Sequence, residues 1–339
     1  MEDIRVLVTP ECNLDCYFCH MEGSGLRGPL RPGEAGSKGI EVMTAGDYLV
    51  LAEAARRVGV GYFRVSGGEP LVRRDICDVL ASLTSTGIPV GVTTNGVLLP
   101  RYAGCLASLG VDKVNVSLHS LNPEEYARIT GRPMFRLALE GVRAALDAGL
   151  RVKVNFVLLR GRNEGDVKLL VDLAARMGFE VQLIELHPVG RGADRMDEHV
   201  PPEEVLKRMG YAVARVEPGR IHNRRVLILD NGVRVTIVDP VENPLFCAGC
   251  TRVRIRWDGG VIPCINWRGE PPVSILPAIR SAGSFEDAVE GVIKSLSLAN
   301  RYRRPYYLFG PAVEQALDGR LPRGLWPGRK TLRLGPSRG

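Results

Sequence analysis

Along the first half of the chain, apolar positions follow two alternating periods. Short apolar runs rich in β-branched residues recur at 4–8, 62–65, 89–93, 113–117, 153–158 and 181–185, and each reads as a strand buried on both faces. Between them, three-to-four spacing of apolar residues predicts helices over 44–57, 75–84, 101–109, 135–148 and 164–177. Six strands in strand-helix alternation, with crossovers long enough for parallel pairing, predict an α/β fold in the form of an open, partial barrel.

That pattern stops near His187-Pro188-Val189-Gly190. A polar stretch to about Pro202 leads to runs at 211–216, 226–229 and 233–238, which read as a small sheet in a differently built region, with Asn231-Gly232 as a hairpin turn. A last helix is expected over 285–298, followed by a tail rich in Arg, Pro and Gly. The expected division is therefore 1–190 for the partial barrel and 191–339 for a smaller C-terminal unit. Residues 23–39, rich in Gly and Pro, read as a long mobile loop.

With 339 residues, 45% hydrophobic and 24% charged, the chain has the composition of a soluble globular protein. No apolar run reaches membrane length and Met1-Glu2-Asp3 lacks a signal segment, so a cytoplasmic protein without a membrane partner is expected. The net charge of +7 is dispersed, without a basic tract interleaved with aromatics. This disfavours nucleic acid and points to a small polyanionic substrate.

The eight cysteines change the picture most. Six fall into two triplets, while Cys77 and Cys105 lie within helical patterns and read as ordinary buried residues. Cys12, Cys16 and Cys19 form CxxxCxxC directly after the first strand, at the end where barrel enzymes keep their chemistry. Three thiolates in eight residues suit a four-iron cluster with one iron left open, and a zinc site or redox disulfide is the alternative. The second triplet is Cys247, Cys250 and Cys264, again without a fourth cysteine; a zinc site there would recruit a residue such as His222. Arg252, Arg254 and Arg256 follow at alternate positions, either as a solvated face or as a grip for phosphate. At the strand ends lie Gly67-Gly68-Glu69, Thr93, Thr94 and Asn95, and Ser117, whose polar groups suit either a ligand or the capping of the next loop.

CxxxCxxC with the aromatic Phe18 before its third cysteine resembles the signature of radical S-adenosylmethionine (SAM) enzymes, and Gly67-Gly68-Glu69-Pro70 resembles that family's SAM-binding turn. The resemblance implies a partial (β/α)6 barrel in which the open iron chelates SAM, and one electron splits SAM to give a 5′-deoxyadenosyl radical. It implies SAM contacts at Phe18, Gly67, Gly68, Glu69, Thr93, Asn95 and Ser117. CxxC, thirteen residues, and a third Cys, with Arg252 and Arg254 just after the CxxC, further resembles the GTP 3′,8-cyclases of molybdenum cofactor biosynthesis, from about Arg5 to Cys264. That likeness implies two [4Fe-4S] clusters, GTP as substrate, an external electron donor, and a monomer or homodimer. It assigns Arg5, Arg252 and Arg254 as catalytic and substrate-site arginines, with Lys153 and Asn155 also on the substrate. Three departures stand out: Gln182 where an arginine is common, Thr251 after the CxxC where asparagine is usual, and Gly335-Pro336-Ser337-Arg338-Gly339 in place of a Gly-Gly terminus.

Overall fold

The computed structural model describes residues 1–303 except 24–27, 40, 220, 221, 223, 242 and 268, so the expected C-terminal tail and part of the 23–39 loop lie outside the described residues. Strands β1 (Asp3–Leu7), β2 (Tyr62–Ser66), β3 (Val90–Thr94), β4 (Lys113–Ser117), β5 (Val152–Leu158) and β6 (Glu180–Glu185) run parallel in sequence order. Their connecting helices are Ala45–Arg57, Ile76–Thr84, Leu99–Ser108, Phe135–Asp147 and Val167–Met177, each within a few residues of expectation. Ile4, Val6, Val65, Val92, Val114, Val116 and Val154 are wholly buried beneath those helices, as parallel strands covered by helices require. The first long helix starts where Thr44 and Asp47 form a reciprocal capping box.

The C-terminal strands do not make a separate sheet. Strands β7 (Val213–Pro218), β8 (Arg225–Leu229), β9 (Arg234–Val238), β10 (Arg252–Ile255), β11 (Gly260–Ile262) and β12 (Val273–Ser274) extend the same sheet at both ends, giving the order β12-β11-β10-β1-β2-β3-β4-β5-β6-β9-β8-β7. The physical reason is edge satisfaction: an open row of six leaves β1 and β6 with unpaired backbone. β9 pairs in parallel with β6, setting Val235 beside Val181 and Ile237 beside Leu183, and β10 pairs in parallel with β1. The chain between β9 and β10, which carries Cys247 and Cys250, must therefore cross from one end of the six-stranded row to the other.

Three further differences follow from contacts that local patterning does not encode. Cys77 and Cys105 are half-buried and joined in a disulfide, with 6.5 Å between Cα atoms, linking consecutive outer helices. The helix Pro123–Thr130, absent from the sequence reading, is capped by Asn122, whose side chain accepts hydrogen bonds from the Glu124 and Glu125 amides. In the described part of the 23–39 loop, Leu30 exchanges backbone hydrogen bonds with Pro10 and Cys12, and Glu11 accepts from the Gly33 and Ala35 amides. The loop is strapped to the mouth of β1, and residues 34–37 form a helical turn.

Candidate functional site

The CxxxCxxC loop leaves the C-terminal end of β1 and is held by backbone on two sides. Asp15 and Tyr17 donate to the carbonyls of Thr130 and Ile129, at the end of the helix that sequence reasoning missed. Phe18 is buried beneath the loop with Ile129, Val157, Leu159 and Leu186, its ring edge-on to His119 at 5.0 Å. The 187–190 segment closes over the other side: Gly190 has a φ of +60°, and a Cβ there would lie 2.4 Å from the His20 carbonyl oxygen. Burial, with Glu69 nearby, pushes the Cys12 thiol up to about 12, and burial raises Cys16 and Cys19 as well. Cys16 would also feel the charge of Cys19 and Cys12 as thiolates, so the three sulfurs share one space.

The next strand ends complete that side. Gly67 and Gly68 pass so close to the cysteine loop that a Cβ would lie 2.7 Å from the Thr9 oxygen and 2.2 Å from the Glu11 oxygen, which explains the glycine pair. This approach sets Glu69 beneath the loop, 1% exposed, accepting from Thr94 Oγ1 at 2.7 Å, the Asn95 amide at 2.6 Å and the Leu71 amide at 3.0 Å. Burial outweighs these bonds and lifts its carboxyl to about 7. Asn95 in turn donates to Asn13 Oδ1 at 2.7 Å, tying the third strand end to the cysteine loop. His119 Nδ1 accepts from the Val157 amide at 3.2 Å, and burial lowers its pKa to about 3, so the ring is neutral with its proton on Nε2.

Opposite lies the second triplet. Cys247 and Cys250 sit in and just after the short helix Pro244–Ala248, capped by Asn243, while Cys264 follows β11. His222 is held by its amide on the Gly249 carbonyl, stacks on Phe246, and brings Nε2 to 3.3 Å from Cys250 Sγ. Asn266 Oδ1 lies 3.0 Å from His187 Nε2, where it accepts from the ring N–H, and Asn266 Nδ2 donates to Cys264 Sγ at 3.8 Å. The parallel register of β10 on β1 puts Arg252 beside Asp3 and Arg254 beside Arg5. Arg252 and Arg64 both pair with Asp3; burial alone would raise that carboxyl, but the two guanidinium groups hold it at about 2. Arg5 and Arg254 both pair with Glu22, which they hold well below its usual range despite burial.

Both triplets line one cavity of about 530 Å³, to which β1 to β6, β9 and β10 all contribute residues. Its wall includes Phe18, Gly67, Gly68, Glu69, Thr93, Asn95, Ser117, Asn155, Arg5, Arg252 and Arg254. The chain matches the Radical SAM superfamily over residues 6–174 and Molybdenum Cofactor Synthesis C over residues 179–306. It is 50% identical to a probable GTP 3′,8-cyclase of Aeropyrum pernix, across 97% of this chain and 90% of that one. A probable GTP 3′,8-cyclase of Pyrobaculum aerophilum is 36% identical across 91% of this chain and 95% of that one. The chain belongs to the GTP 3′,8-cyclase family of radical SAM enzymes. Solved Streptococcus suis SuiB bound to precursor peptide SuiA shares the fold at 16% identity, with a TM-score of 0.57 over 99% of this chain and 68% of that one.

The family implies a four-iron cluster and SAM, and the donor set fits: three half-buried thiols share one space, and among the described residues the buried Glu69 carboxylate beside them has no cation paired to it. Among the described residues, no three His, Cys, Asp or Glu side chains converge on a point suited to a single ion. Two sequence expectations are placed differently. Lys153 does not line the cavity; its Nζ lies 2.8 Å from Glu180 Oε2 and from Thr236 Oγ1, and burial lowers its pKa to about 8 against the pull of Glu180. Arg256 pairs with Asp258 and is buried rather than part of a solvated face, as are Arg252 and Arg254. Gln182, where an arginine is common, donates to Asn155 Oδ1 at 2.8 Å. Sequence reasoning missed Glu22, His187, Arg224, Phe246 and Asn266 in the cavity wall. His187 marks the break in strand-helix alternation and could have been found there; Arg224 stands in a basic run with nothing to distinguish it.

Proposed function

We infer that this chain is a GTP 3′,8-cyclase, converting GTP to 3′,8-cyclo-7,8-dihydro-GTP in the cytoplasm with electrons from an external donor. The observation that carries this reading is the single cavity shared by two thiol triplets and the buried arginines. Cys12, Cys16 and Cys19 would hold the SAM-binding cluster, and Cys247, Cys250 and Cys264 a second [4Fe-4S] cluster. When bound, the first cluster and SAM supply the carbon radical that takes a hydrogen atom. In the substrate, that hydrogen leaves C3′ of the ribose, C3′ bonds to C8 of guanine, and one electron with a proton completes the dihydro product.

The chain's own residues bind, orient and exclude water. Glu69 presents a carboxylate to the SAM ammonium, with Gly67, Gly68, Thr93, Asn95 and Ser117 offering backbone and side-chain polar groups alongside. Arg5, Arg252 and Arg254 present fixed positive charge to the nucleotide, and Asn155 supplies a neutral polar contact. The strap at residues 28–37 and the 187–190 segment shield the cysteine loop, keeping water from a radical that would otherwise be quenched. Anaerobically reconstituted protein given SAM, GTP and a low-potential reductant is expected to release both 5′-deoxyadenosine and the cyclised nucleotide. Deoxyadenosine without cyclised nucleotide would remove GTP as the substrate. Iron and sulfide counts near eight, falling to about four in a Cys247→Ala, Cys250→Ala, Cys264→Ala variant, test the second cluster.

A further inference from the structure

We propose that Arg224 binds the phosphate chain of the nucleotide and sets the enzyme's preference for a triphosphate; the proposal rests on the nucleotide reading above. Arg224 lies just before β8 and lines the cavity. The arginines whose charge it feels each have a carboxylate: Arg252 and Arg64 share Asp3, and Arg5 shares Glu22 with Arg254. Arg224 forms no ion pair with any described residue, and its Nε is shut off from solvent with no hydrogen-bond partner. Its guanidinium faces the Phe246 ring at 5.7 Å. Burial opposes its charge, and Arg252, Arg64 and Arg5 add repulsion that Asp3 partly relieves.

A guanidinium cannot shed its proton to escape such a place, and among the described residues no carboxylate pairs with it, so an anionic ligand in the cavity is the partner its charge calls for. Among the described residues, Arg5, Arg64, Arg252 and Arg254 share the two carboxylates Asp3 and Glu22, and Arg224 adds a further positive charge, so guanidinium groups outnumber carboxylates on this wall. One carboxylate ligand would leave most of that excess standing, whereas a triphosphate matches it, and the planar donor fork suits phosphate oxygens. The field of Arg224 also reaches Lys153 at the start of β5, which is already paired with Glu180 outside the cavity wall.

The proposal gives binding and stability opposite signs. In Arg224→Ala, affinity for GTP is expected to fall about tenfold or more, the cost of a lost charged hydrogen bond. GMP affinity should change by less than about twofold, and GDP should fall between. The variant without nucleotide should melt at a higher temperature than the native chain, because an uncompensated charge has been removed. Equal loss for GTP, GDP and GMP, no loss for GTP, or a lower melting temperature would each overturn the assignment. Inorganic tripolyphosphate separates this proposal from the nucleotide reading. If native protein binds no GTP but binds tripolyphosphate, and Arg224→Ala does not, Arg224 stands and GTP falls; if native protein binds neither, Arg224 falls too. Arg224→Lys should recover part of the GTP affinity, since charge without the fork remains.

Discussion

The two cysteine triplets face one cavity but are set in opposite electrostatic surroundings. Around the first, Glu69, Asp15 and Glu22 are the charges felt by the thiols, moderated by Arg191. Around the second, Arg254 is close enough for Cys264 and Cys250 to support its charge, and Arg303 donates to the Cys250 carbonyl. Identical donor chemistry is therefore matched to different guests. The acidic end suits a cofactor carrying an ammonium and a sulfonium, and the basic end suits a polyanion. The difference arises from strand order: β10 lies against β1, so Arg254 stands beside Arg5 and Arg252 beside Asp3.

The largest expected effect separates the two ends completely. Replacing any one of Cys12, Cys16 or Cys19 by Ala should reduce 5′-deoxyadenosine to background, whereas Cys247→Ala should abolish cyclised nucleotide and leave deoxyadenosine formation in place. Both are read by chromatography of the same anaerobic reaction, and loss of deoxyadenosine in both would erase the distinction. Next, Arg252→Met should cost about 3–5 kcal/mol in denaturant melts at pH 7, since it strips Asp3 of one of two partners in a site that is 1% exposed. In the native chain, the pair's contribution is present above the usual carboxyl range and is lost as pH falls toward about 2, because the folded pKa of Asp3 is depressed. A melt of the variant that matches the native chain would show that the basic end is held together without the Arg252–Asp3 pair.

Outside both ends, Cys77→Ser should cost about 3 kcal/mol by releasing the 28-residue cross-link, while leaving nucleotide affinity unchanged. A change in affinity would mean that the outer helices reach the cavity. The smallest effect sharpens the acidic end. Glu69 has a raised folded pKa of about 7, so the free protein is most stable with it protonated and loses stability as pH rises from its usual 4.5 through 7. SAM binding should reverse that preference. Its affinity, measured by calorimetry, is expected to rise about tenfold per pH unit up to pH 7 and flatten above, and to lose this dependence in Glu69→Gln. A flat profile in the native chain would place the ammonium elsewhere.

The core fold was legible because buried parallel strands and their helices leave strong local patterns; 113–117, for instance, matches β4 residue for residue. The cysteine spacings and the glycine pair before Glu69 were equally legible, since each is a local answer to a local geometric demand. What escaped reading depends on distant parts of the chain. Nothing in 226–229 or 233–238 says that these strands join β6, because apolar alternation fixes a face and not a neighbour. The Cys77–Cys105 pairing depends on how two helices lie side by side, and Glu22 acquires its role only where Arg5 and Arg254 meet. Lys153 was legible as a cation but not as one already engaged with Glu180.

The partnership of β1 with β10 also governs how the chain can be made. During synthesis, β1 emerges first and can pair with β2 once residue 66 is out, but its other edge has no partner until residues 252–255 appear. At ordinary translation speeds that interval is roughly 10–40 s, during which Ile4 and Val6 line an unfinished strand edge. A nascent chain arrested after residue 190 should therefore be captured by chaperones or self-associate, and release should coincide with the emergence of the second cysteine segment. The last part of the site to be translated is also the part that lets the first part finish folding.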